Sequence, residues 1–139
     1  MYQYRRTVQY YETDKMGITH HSNYIRWMEE ARVDFLDQIG WSFAKLEEFG
    51  VTSPVLAVRC SYKHPTRFSD QIRIFVALKS YRGVRMTISY RMEEPDGTLV
   101  CEGETDHRFV NTSGQPVRLR RDLPQFDAAL TALLAPDSE

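Results

Sequence analysis

Residues 10–32 read YYETDKMGITHHSNYIRWMEEAR and change character halfway. The stretch opens as the end of a strand in which Tyr4, Arg6, Val8 and Tyr10 alternate with Arg5, Thr7, Gln9 and Tyr11. That period of two, in residues that favour extended backbone, predicts a first strand. A turn follows that holds Asp14, Gly17, His20 and His21. From Asn23 to Ile39 the period becomes helical. Tyr24, Met28, Ala31, Phe35 and Ile39 form one apolar stripe, widened by Trp27 and Leu36 and opposed by Arg26, Glu30, Asp34 and Asp37. Gly40 is a natural stop.

Working outward, Ser42 is placed to cap a short second helix that runs through Phe49 and closes at Gly50. Four strand patterns come next. Leu56, Val58, Cys60 and Tyr62 alternate with Ala57, Arg59, Ser61 and Lys63; HPTRFSDQ is a polar turn. Ile72, Ile74, Val76 and Leu78 give the next apolar face, and Val84, Met86, Ile88, Tyr90 and Met92 follow the YRGV turn. EPDG is hairpin punctuation before the strand from Leu99 to Asn111. Leu123 to Leu134 reads as a terminal amphipathic helix preceded by RLRRD. Hairpin-length connections imply antiparallel pairing. The expected fold is therefore α+β, one long helix against a curved antiparallel sheet in two layers. The sheet's far face or its edges stay available for a second subunit, so an oligomer is expected.

The chain has 139 residues, 42% hydrophobic and 27% charged, with a formal net charge of -1. A single domain spanning 1–139 accommodates that length. The charge supplies no field for holding nucleic acid. No window reaches the ~20 apolar residues of a membrane span, and no signal peptide is read at the N-terminus. Cys60 and Cys101 lie far apart in sequence inside strand patterns and read as buried thiols of a reducing compartment, which places the protein in the cytoplasm.

An aspartate in a turn most often just bonds nearby backbone. Around Asp14 the setting is richer. Gly17 lets the backbone bend sharply, and the helix that follows presents free N–H groups from His21 to Tyr24, at the positive end of its dipole. A carboxylate close to such donors can attack or direct water while the amides hold an oxyanion. Tyr10 either orients the acid or is an ordinary strand aromatic. Asn23 is expected as the N-cap. His20 and His21, as neighbours, are expected to diverge, so no metal site is built from them. Arg59, Ser61 and Lys63 share a strand face, with Arg67 in the next turn. They form either a solvated face or a basic groove for a phosphate-bearing ligand.

Taken together, YYETDKMGITHHSNYIRWMEEAR resembles the 4-hydroxybenzoyl-CoA thioesterase family in its YbgC-like branch, more loosely extended through KHPTRFSDQI and GTLVCEGETDHRFVN. The resemblance implies the hotdog fold, edge-to-edge dimers often paired into tetramers, and hydrolysis of an acyl-CoA thioester with neither metal nor organic cofactor. It makes Asp14 the catalytic nucleophile or general base, and the His21 N–H the group that polarises the carbonyl. The His21 side chain and Tyr10 match active-site residues of that branch. Gly17, Asn23 and Tyr24 are expected to line the substrate site, with Arg59, Lys63 and Arg67 toward the CoA phosphates. His20 stands where many relatives carry Tyr, which bears on acyl preference. Acyl carrier protein is a possible alternative donor. The rival readings are a hotdog enoyl-thioester hydratase or dehydratase, and a non-catalytic subunit that binds acyl thioesters.

Overall fold

The computed structural model describes residues 2–134. Five strands, β1 (Tyr2–Thr7), β2 (Val55–Tyr62), β3 (Gln71–Tyr81), β4 (Arg85–Glu93) and β5 (Leu99–Arg108), form one sheet in the order β1-β3-β4-β5-β2. Every neighbouring pair is antiparallel. The strands β1 and β2 are consecutive in sequence yet stand at opposite edges. The chain between them must cross a sheet face, and it does so as α1 (Ser22–Gln38) followed by α2 (Phe43–Glu48). This is the hotdog arrangement that the sequence resemblance implies.

The helical stripe packs as the pattern predicts. Tyr24, Met28, Ala31, Phe35, Trp27 and Leu36 are buried, while Ile39 is half-buried beyond the helix end. They meet Ile72, Ile74, Val76 and Leu78 of β3 and Met86, Ile88, Tyr90 and Met92 of β4 in one core. Fully burying each such side chain stabilises the fold by ~1.5–3 kcal/mol. Gly103 lets the helix approach β5 closely: a Cβ there would stand 2.2 Å from Met28 Cε and 2.8 Å from the Arg59 carbonyl oxygen. Ser42 caps α2, its Oγ accepting the Lys45 N–H at 3.1 Å. RLRRD, read as a lead-in, contains a helical turn of its own, α3 (Leu119–Asp122), before α4 (Pro124–Leu134). In α4, Phe126 packs on Trp41 and Phe109.

Two expectations need correction. The first strand ends at Thr7; Val8 turns inward and residues Tyr10–Glu12 form a single 3₁₀ turn. The alternation through Tyr11 outlasts the strand because the turn is itself rich in aromatic β-formers. Second, β2 buries neither face fully: Val55, Leu56, Val58 and Tyr62 are exposed. It is an edge strand, paired among the described residues with β5 alone.

The core also holds a polar chain invisible to periodicity. His107 is fully buried on β5, with Nδ1 3.1 Å from the Ser53 carbonyl and Nε2 2.7 Å from Thr105 Oγ1. The carbonyl can only accept, so Nδ1 carries a proton. Burial, then the nearby Arg32 charge, pushes the His107 pKa down to about 4. Arg32, itself buried on α1, donates to Ser53 Oγ and to the Glu29 carboxylate.

Candidate active site

The turn before α1 is built around an acid that the sequence reading passed over. Glu12 is only 2% exposed, and its carboxylate accepts from four donors on three residues. Arg6 Nη1 and Nη2 approach at 3.0 and 2.7 Å, the Gln9 N–H at 2.9 Å and Trp27 Nε1 at 2.9 Å. One carboxylate thus ties β1, the 3₁₀ turn and α1 together. Burial alone would lower the Arg6 pKa, but hydrogen bonds and charge from Glu30 and Glu12 outweigh it and raise it. Glu12 also works through its backbone: its carbonyl accepts the His20 N–H at 2.8 Å and Asn23 Nδ2 at 3.0 Å.

Asp14 sits in a tight loop closed at its base by the Thr13–Thr19 bridge. Its N–H donates to the Ile18 carbonyl, and its own carbonyl accepts the Gly17 N–H. Gly17 has φ 80°, a left-handed conformation that a side chain would strain. Asp14 Oδ1 accepts the Met16 N–H at 2.8 Å, which orients the carboxylate and leaves Oδ2 without a protein donor among the described residues. The Arg67 guanidinium lies against the loop, 3.7 Å from where a Gly17 Cβ would be. Beneath the loop, Thr19, Thr66 and the Tyr24 hydroxyl share a buried hydrogen-bonded cluster. Tyr24 therefore supports the site from the core side.

The helix begins one residue earlier than expected, with His21 in the N-cap position. Asn23 is not the cap; it lies in the first turn and its amide donates to the Glu12 and His20 carbonyls, tying the turn to the helix. His20 does the capping: its Nδ1 accepts the Ser22 N–H at 3.3 Å and meets Ser22 Oγ at 2.9 Å. Among the described residues the His21 N–H has no hydrogen-bond acceptor, so a free donor stands at the start of α1. The two imidazoles do not diverge. They stack with centroids 4.3 Å apart, because the pair straddles a turn and a helix start where the divergence rule of regular elements does not apply. The His21 ring also packs edge-on to Tyr62 of β2, whose hydroxyl donates to the His21 carbonyl at 3.3 Å.

The remaining sequence candidates separate. Tyr10 lies in the 3₁₀ turn and not at a strand end; it is 75% exposed, with its ring edge-on to Phe68 at 5.6 Å. Lys63 follows the end of β2, exposed and in no ion pair among the described residues. Arg59 is different. Its guanidinium is held by Glu104 at 2.9 Å and Asp106 at 3.0 Å on the outer sheet face, away from α1. Its donors are spent on carboxylates, so the shared basic face of Arg59 and Lys63 does not form. Among the described residues no group of three or more His, Cys, Asp or Glu is gathered to hold a metal, and no helix is long and apolar enough to cross a membrane.

A long helix laid across a five-stranded antiparallel sheet, with an acid-bearing turn at its N-terminal end, defines a hotdog domain. The chain belongs to the thioesterase-like superfamily, whose family model matches residues 8–133. It is 32% identical over 123 residues to the "Putative acyl-CoA thioesterase YneP" of Bacillus subtilis (strain 168), covering 88% of this chain and 89% of that protein. It is 36% identical over 120 residues to a "Putative esterase" of Aquifex aeolicus (strain VF5), covering 86% and 92%. Its structure matches the DHNA-CoA thioesterase from Staphylococcus aureus with a TM-score of 0.92 at 28% identity, covering 99% of this chain and 94% of that one.

Proposed function

We propose that this protein is an acyl-CoA thioesterase that hydrolyses its substrate at the start of α1, with Asp14 as the reacting carboxylate. The observation that carries this reading is the pairing of an oriented acid with an unused donor. Asp14 is steered by the Met16 N–H, and the His21 N–H stands without an acceptor at the positive end of a 17-residue helix. A thioester carbonyl bonded to that amide is polarised, and the amide then stabilises the tetrahedral oxyanion more strongly than the ground-state carbonyl. Asp14 either takes a proton from water, which attacks the carbonyl carbon, or attacks it directly to give an acyl-Asp14 anhydride that water opens. In both routes the carbon–sulfur bond breaks and CoA leaves as a thiolate that takes up a proton. The His21 ring, exposed beside Tyr62, positions the substrate or supplies that proton.

Lys63 and Arg67 are the cations suited to the CoA phosphates, since one is free of ion pairs and the other borders the Asp14 loop. Arg59 is left out because its carboxylate partners already neutralise it. The edge strand β2 carries exposed Val55, Leu56, Val58 and Tyr62, and among the described residues its outer N–H and C=O groups have no strand partner. An unprotected apolar edge invites pairing, and we assign it to a second copy of this chain in a dimer, or a tetramer of two dimers. A cytoplasmic location and an acyl carrier protein donor are compatible with this reading.

A panel of acyl-CoAs, followed by free-thiol detection and product mass, tests the activity. Hydrolysis releases CoA and the free acid. A product that gains water with its thioester intact would identify a hydratase instead, and binding without turnover would identify a non-catalytic subunit.

A further inference from the structure

The two cysteines of the chain, read as separate buried thiols, meet in the structure. Cys60 on β2 stands opposite Gly103, and Cys101 on β5 stands opposite Tyr62, so the cysteines are diagonal neighbours across one antiparallel ladder. Their Sγ atoms lie 3.1 Å apart. Cys101 is buried, whereas Cys60 is half-buried on the edge strand. Two residues along the same strand, Tyr62 packs against His21 and Tyr24 and donates to the His21 carbonyl. The thiol pair therefore forms part of the wall beside the helix start.

The two sulfurs are not equivalent. The hydrogen bond between the two thiols outweighs burial and lowers the Cys60 pKa, while the same bond, with burial, raises that of Cys101. Cys60 is therefore the more acidic of the two thiols and Cys101 the less acidic. A partly accessible, more acidic thiol beside a buried partner has the arrangement of an attacking and a resolving cysteine. Hydrogen peroxide is scarcely larger than water, so partial access suffices for its approach.

We propose that Cys60 and Cys101 form a reversible oxidation site that takes a hydroperoxide as oxidant and closes to an intramolecular disulfide between β2 and β5. In the first step the Cys60 thiolate attacks one peroxide oxygen. The O–O bond breaks, Cys60 becomes a sulfenic acid, and hydroxide leaves. In the second step Cys101 sulfur attacks the sulfenic sulfur; the S–O bond breaks, and the departing hydroxide takes the Cys101 proton and leaves as water. Two thiols are oxidised by two electrons in all, and the peroxide is reduced. A disulfide is ~2.05 Å long, so the sulfurs approach by roughly 1 Å. A small shift of β2 against β5, its strand partner within the chain, closes that gap. Its movement carries Tyr62 and disturbs the contact that holds the His21 carbonyl at the helix start. Loss of turnover on oxidation rests on the thioesterase reading above; the bridge itself does not.

The test treats the full-length reduced protein with a small excess of hydrogen peroxide, then measures intact mass, free thiols after denaturation, and migration on a non-reducing gel. The expected result is loss of two hydrogens, no remaining thiol, a monomeric band, and full reversal by dithiothreitol. In Cys101→Ser the oxidation should stop at a Cys60 sulfenic acid that dimedone traps. Surviving thiols, a sulfinic acid in the unmodified protein, or a disulfide between two chains would each overturn the proposal. Angstrom-scale misplacement in an active site costs up to about 100-fold. Oxidised protein should therefore lose between several-fold and about 100-fold of its acyl-CoA turnover, and dithiothreitol should restore it. A quantitatively bridged protein that hydrolyses at the reduced rate would overturn the coupling to the site while leaving the bridge in place. A reduced protein with no hydrolysis to begin with counts against the thioesterase reading, and the mass and thiol measurements still decide the bridge.

Discussion

Replacing Glu12 by Gln keeps the shape of the side chain and removes its charge. Four donors converge on this carboxylate: two from Arg6, the Gln9 N–H and Trp27 Nε1. A neutral amide offers one acceptor oxygen and turns an N–H₂ group toward the remaining donors. Removing one member of a buried ion pair costs ~3–5 kcal/mol. Arg6 keeps a second partner in Glu30 at 2.8 Å, so the lower end, about 3 kcal/mol, applies. In a domain of this size that corresponds to a fall in Tm of roughly 10 °C. Turnover should fall as well, because the Glu12 carbonyl holds His20 and Asn23 at the helix start. Thermal unfolding by circular dichroism and urea titration read the first effect, and acyl-CoA hydrolysis well below the new Tm reads the second. A variant whose stability lies within about 0.5 kcal/mol of the parent, the range of ordinary surface changes, would refute the idea that this acid organises the turn.

Three further outcomes follow from named contacts. His107 has a folded pKa of about 4 against an unfolded value of ~6.5, so the unfolded chain takes up the proton first as pH falls. Stability is complete above pH ~6.5 and is lost toward pH ~4, about 2 kcal/mol of it between pH 7 and pH 5; urea midpoints at the two pH values should show this, and His107→Gln should remove most of the difference. Neutralising Lys63 and Arg67 together should raise KM for acyl-CoA more than it lowers kcat, with little effect on thioesters lacking the nucleotide. Equal effects on both substrates would place the phosphate contacts elsewhere, with Arg82 and Arg85 the next to change. Light scattering at micromolar concentration should find a dimer or tetramer, which charged residues at Val55 and Val58 of β2 should weaken; a monodisperse monomer would contradict the edge assignment.

The helix from Tyr24 to Leu36 and the hairpins of the second half were legible because each carries a clean period and clear punctuation. Asp14, Gly17 and His21, the residues of the proposed site, stood out for a different reason: their types and order sit between a strand and a helix, where chemistry is available. Glu12 did not, since its donors come from three separate parts of the chain and a glutamate in a polar turn reads as solvated. The Trp27 indole, which needs an acceptor when buried, was the one hint. Arg59 misled because period two gives the face of a strand but not the partners across it. Those partners, Glu104 and Asp106, depend on β5 lying alongside β2. The meeting of Cys60 and Cys101 depends on the same register, which no local pattern encodes.

The central claim is that Asp14 carries out the chemistry while its loop merely positions it. Steady-state hydrolysis of an acyl-CoA by Asp14→Asn, on protein whose Tm and circular dichroism match the parent, measures this most directly. The amide can still accept the Met16 N–H, so the loop should persist. General acid–base catalysis contributes ~10²–10⁴-fold, so kcat should fall at least about 100-fold with KM little changed. An Asp14→Asn protein that turns over near the parent rate would contradict the account.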